Sequence, residues 1–117
     1  MTIDEAIRDL LNVSTDIQGV AVLGAEGDVV AAGPGAPAAD LAGACRRLWE
    51  AAVARAAALA ESPLDHVVVQ DSNGAVAMLT ARGRRIAGVT GPRPAVGLLL
   101  FDLRTCLADA FAAEEGQ

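Results

Sequence analysis

Apolar residues near the start of the chain fall at Ile3, Ala6, Ile7, Leu10 and Leu11, the spacing of one helical face. Thr2-Ile3-Asp4-Glu5 has the form of a capping box, a hydroxyl cap with a glutamate three residues on. The pattern predicts a helix over Ile3–Val13. The period then changes in "QGVAVLGAEGDVVAAG", where Val20-Ala21-Val22-Leu23 and Asp28-Val29-Val30-Ala31 are short β-prone runs. Gly24-Ala25-Glu26-Gly27 between them reads as a hairpin loop, and the glycines and prolines of Gly33 to Pro37 end the second strand.

From Ala38 to Glu61 only Gly43 interrupts a run free of glycine and proline. Leu41, Cys45, Leu48, Ala52, Ala56 and Leu59 fall on one face, and Arg46, Arg47, Glu50 and Glu61 on the other. This predicts an amphipathic helix of roughly 35 Å at about 1.5 Å per residue. Trp49, Val53 and Ala60 widen its apolar stripe beyond what one sheet contact needs, and its many alanines would let another backbone approach closely. Ser62-Pro63 closes it.

Three strands follow, His66–Asp71, Ala75–Ala81 and Arg84–Thr90, joined by Ser72-Asn73-Gly74 and Arg82-Gly83. Asn73-Gly74 between β-prone runs predicts a type I′ turn, because both central residues of that turn need positive φ. After Gly91-Pro92-Arg93-Pro94, a third helix is marked by Val96, Leu99, Leu100, Leu103, Leu107, Ala110 and Phe111. Residues 112–117, "AAEEGQ", read as a frayed tail.

The order α-β-β-α-β-β-β-α, with tight turns between strands, predicts a single α+β domain over residues 1–117 built on an antiparallel sheet. Val67-Val68-Val69 and Ala75 through Leu79 do not alternate with polar residues, so the sheet is expected to be covered on both faces.

Composition adds a partner to this picture. Hydrophobic residues make up 53% of the 117 and mean hydropathy is +0.39, more apolar surface than so small a chain can hide alone. A second copy is the simplest cover. No apolar run reaches the ~18–20 residues that cross a bilayer. "MTIDEAIRD" lacks the basic-then-apolar form of a signal peptide, so a cytoplasmic chain is expected. The net charge of -6 argues against nucleic acid or an anionic membrane as partner. All nine basic residues are arginine, which excludes Schiff-base and P-loop lysine chemistry.

Sets of catalytic residues are not evident. His66 is the only histidine, stands at a strand start, and has no serine or cysteine near it in sequence. Asp71 and Glu26 are turn residues with ordinary local roles. The glycine-rich stretches fit no phosphate loop. Cys45 and Cys106 form no CxxC and read as buried small hydrophobes, so no metal or cofactor is expected. Arg82, Arg84, Arg85 and Arg93 make a local basic group, either a solvated hairpin tip or a dock for an acidic surface or phosphate. Trp49 suits core and interface alike.

In this order and length, "IQGVAVLGAEGDVVAAG", "HVVVQDSNGAVAMLTARGRRIAGV" and "PAVGLLLFDLRTCLADAF" together resemble the roadblock / dynein light chain family, which has a profilin-like fold. The resemblance implies a five-stranded antiparallel sheet with the central helix on one face and the terminal helices on the other. It also implies a dimer with central helices side by side and third strands paired edge to edge. A Ras-like small GTPase or a signalling complex is the implied partner, and no catalytic residue is carried over. The twofold seam is expected at Cys45, Leu48, Trp49, Ala52, Ala56, Val67 and Val69. A profilin-like module sensing a small ligand is the alternative, which requires a pocket with convergent polar groups.

Overall fold

The structure is a computed structural model that describes residues 2–24, 28–33, 38–59 and 64–115, with the side chains of 38–42, 59 and 113–115 left aside. The expected loop residues 25–27, the breakers at 34–37 and the helix stop at Ser62-Pro63 lie outside the described residues.

Helix α1 spans Ile3–Val13, as the apolar spacing predicts. Thr2 caps it, its hydroxyl accepting from the Glu5 N–H at 3.1 Å, and Ala6, Ile7 and Leu10 are its buried face. The hairpin β1 (Ile17–Leu23) and β2 (Val29–Ala32) follows, β1 starting three residues earlier than the β-prone run suggests. Helix α2 spans Ala38–Leu59, the meander comprises β3 (His66–Asp71), β4 (Gly74–Ala81) and β5 (Arg84–Thr90), and α3 spans Val96–Glu115. Helix α3 thus continues through much of the stretch expected to fray.

The strand order is β2-β1-β5-β4-β3, all neighbours antiparallel. Two cores sandwich the sheet. On one face Ile7 and Leu10 of α1 and Leu99, Leu103 and Leu107 of α3 pack on Val20, Val22, Ala77, Leu79 and Ile86. On the other, Cys45 and Trp49 of α2 pack on Ala21, Leu23, Met78 and Ala87. Helices therefore lie on both faces, which is why the strands need not alternate. Gly88 lets α3 come close: a Cβ there would sit 3.2 Å from a Leu103 methyl.

One turn expectation is corrected. Gly74 already pairs with Asp71 as the first residue of β4, so the loop is Ser72-Asn73 and not Asn73-Gly74. The Asp71 carboxylate accepts from the Asn73 N–H at 2.7 Å and the Gly74 N–H at 3.2 Å. That side-chain acceptor holds an Asx turn without positive φ at Asn73. The type I′ signature falls on the next hairpin, where Arg82 and Gly83 have φ of 51° and 79°.

Candidate functional site

The layer formed by α2 covers its face of the sheet only in part. Strand alternation places Val67 opposite Met78 and Val69 opposite Val76, so both β3 valines lie on the α2 side. Val67 is half-buried beside the α2 core, while Val69 is 49% exposed. Val69, Val76 and Val89 with Gln18 line an open groove of about 310 Å³ on this sheet. Helix α2 turns Val53 outward at 43% exposure, next to half-buried Ala52 and Ala56. β3 is an edge strand with no neighbour on its outer side among the described residues.

The expected seam residues divide. Leu48, Ala52, Ala56 and Val67 are half-buried and Val69 exposed, all on the α2 layer. Cys45 and Trp49 are instead 1% and 7% exposed and belong to the chain's own core. The helical line facing the sheet therefore runs through Cys45 and Trp49 toward Ala52 and Ala56, and the outward margin carries Val53. Single-letter hydrophobicity gave Trp49 both roles, and only the rotation of α2 decides between them.

The arginine group also divides. Successive strand residues alternate, so Arg84 and Arg85 lie on opposite faces of β5. Arg82 and Arg84 place their guanidinium carbons 5.4 and 5.9 Å from the Phe111 ring centre, on the α3 side. Arg85 stacks 4.4 Å over Trp49 on the α2 side. Its Nε is buried without a hydrogen-bond partner among the described residues, and burial pulls its pKa below the usual value, partly offset by Cys45 and Glu50 nearby. Sequence reasoning missed this stack; the signal was the alternation of two adjacent arginines in a strand whose neighbours Ile86 and Ala87 are both buried.

The remaining chemistry is sparse. His66 is exposed, with Nδ1 3.4 Å from the Asp65 carboxylate, which also accepts from Arg104 at 3.2 Å. Burial pushes the Cys45 thiol up, partly offset by Arg85. The Cys106 thiol donates to the Ala6 carbonyl at 3.5 Å. No cluster of three or more His, Cys, Asp or Glu fit to hold a metal occurs among the described residues. No described helix is long and apolar enough to cross a membrane.

No family model and no curated protein matches the chain. Solved structures do. A Roadblock/LC7 domain from Streptomyces avermitilis superimposes with a TM-score of 0.84 at 15% identity, over 96% of this chain and 97% of that one. Myxococcus xanthus MglB gives 0.80 at 13% identity, over 98% and 96%. LokiProfilin2, solved with rabbit actin, gives 0.65 at 18% identity, over 92% and 95%. By strand order, helix placement and nearly complete mutual coverage, this chain has the roadblock/LC7 form of the profilin-like fold.

Proposed function

We propose that the chain is a non-enzymatic, roadblock-type regulator or scaffold that works as a homodimer and engages a Ras-like small GTPase or signalling complex. The observation that carries this reading is the half-covered α2 layer. The valine groove, the outward Val53 and the open β3 edge all belong to the α2 side of the molecule, and a bare apolar edge is an aggregation hazard that proteins cover. A twofold axis beside β3 would pair that edge with itself and bring the two α2 helices together over the valines. MglB, similar in fold, was solved in a tetrameric arrangement, which supports self-association for this shape. The GTPase comes from the resemblance to the roadblock family.

The assembly would act by shape. A ligand shifts a partner's equilibrium only as far as it prefers one state, so a regulator must distinguish the GDP- and GTP-bound forms. The experiment is affinity for the Ras-like GTPases of the same genome, each loaded with GDP or a non-hydrolysable GTP analogue. A nucleotide-dependent affinity supports a regulator, and equal affinity supports a tether. Binding to neither form of any of them overturns the GTPase reading. Sedimentation giving a monomer at micromolar concentration overturns the dimer.

A further inference from the structure

On the opposite side of the sheet the chain exposes a second apolar surface that the seam does not use. Val13 at the end of α1, with Leu98 and Phe101 on α3, are 74%, 61% and 66% exposed. Leu98 and Phe101 are three residues apart and share a helical face. Val13 and Phe101 wall one groove between α1 and α3, whose floor includes Ala6, Leu10 and Cys106. Such large side chains grouped in one place mark an interaction site more often than scattered ones do.

The groove has a one-signed rim. Asp9, Asp102 and Asp109 line it, and no basic side chain does among the described residues. Arg104 is on the other flank of α3, bound to Asp65. The Cys106 thiol registers the carboxylates: it is pushed up to about 12, by burial first and then by Asp109 and Asp9. The groove holds about 180 Å³. That is below the roughly 300–1,000 Å³ of small-molecule pockets and suits an anchoring side chain.

We infer that the α1–α3 groove is a docking site for an amphipathic helix of a partner protein, anchored by an apolar residue between Val13 and Phe101 and flanked by arginine or lysine. Charge selects this occupant. A second copy meeting this face through a twofold axis would set the Asp9, Asp102 and Asp109 rim against itself, and an anionic lipid surface would be repelled likewise. In helix-in-groove recognition the bound helix presents apolar anchors at spacings of three and four residues, and Val13 and Phe101 on the groove walls, with exposed Leu98 on the same helix as Phe101, offer an apolar surface to such a stripe. The site lies on the face opposite α2, so it stands whether or not the dimer does.

The test uses the full chain panned against a phage-displayed library of helical peptides randomised on every face. Enriched sequences are expected to carry one apolar stripe with basic flanks. The synthesised winner should lose affinity at least about tenfold on Phe101→Ser, as truncated anchors do, with Leu98→Ser as a second variant. Asp9→Asn, Asp102→Asn and Asp109→Asn together should weaken it severalfold and flatten its salt dependence. Both apolar residues are exposed, so the variants should keep the parent melting temperature. Winners with neutral or acidic flanks, affinity indifferent to Phe101→Ser and Leu98→Ser, or no enrichment would overturn the proposal. So would a drop in assembly size of the Phe101→Ser chain, which would make the occupant a second copy.

Discussion

Thr90 is a buried polar residue, and its hydroxyl serves two neighbours. It accepts from the buried Ala75 N–H at 3.2 Å and donates to the Gly91 carbonyl at 2.9 Å, where the β4–β5 ladder gives out. Thr90→Val keeps the shape and strands the Ala75 N–H, so urea unfolding should show a loss of about 1–3 kcal/mol. Thr90→Ser, which keeps the hydroxyl, should cost less. Cys106 carries a pH signature. Its ordinary pKa of 9.0 rises to about 12 in the fold, so the native state holds its proton where the unfolded chain has released it. The sign follows: the contribution is complete below about pH 9 and is lost as pH climbs toward 12, by at most about 1.4 kcal/mol per pH unit. Cys106→Ala should flatten the alkaline limb of a stability-against-pH curve; an unchanged slope would assign that limb to other groups.

At the scale of elements, the type I′ turn that Asn73-Gly74 suggests appears instead at the second hairpin of the meander. Asn73-Gly74 is the stronger type I′ dipeptide, yet Asp71 supplies an acceptor that closes the loop one residue earlier, and positive φ appears at Arg82-Gly83. Gly83→Ala should therefore cost about 1–2 kcal/mol in thermal unfolding, the penalty of a Cβ in the left-handed region. Asn73→Ala should cost only a few tenths, as surface substitutions do. The helices and strands themselves were legible because period and breakers are local: α1, β3 and β5 occupy the spans that their apolar spacing and flanking turn residues mark. What was not legible depends on rotation and alternation in three dimensions. The apolar stripe of α2 is broader than its contact, so spacing could not say that Trp49 turns inward and Val53 outward. The four arginines read as one group along the chain and separate across the sheet because side chains alternate. Leu98 and Phe101 lie off the buried stripe of α3, so the apolar spacing that marks the helix does not mark them.

For the whole molecule, the two α2-layer roles can be separated by where each side chain goes. Trp49 fills the chain's own core under the Arg85 guanidinium, so Trp49→Ala should destabilise the fold by roughly 3–5 kcal/mol at any protein concentration. Val53 and Val69 are 43% and 49% exposed, so Val53→Asp and Val69→Lys should leave a monomer's fold nearly untouched. Their effect should appear only through assembly. If folding and dimerisation are coupled, tenfold dilution removes about 1.4 kcal/mol per dimer. For a pair of chains this size that lowers the melting temperature by roughly 3–6 °C. The parent chain should show this dilution shift, and both variants should abolish it while sedimenting as monomers. A parent melting temperature independent of concentration, with Val53→Asp and Val69→Lys indistinguishable from it, would leave the valine groove and the β3 edge to another partner. The α1–α3 surface makes the opposite prediction within the same experiment: Phe101→Ser should keep the full dilution shift, because the helix it receives approaches from the far side of the sheet.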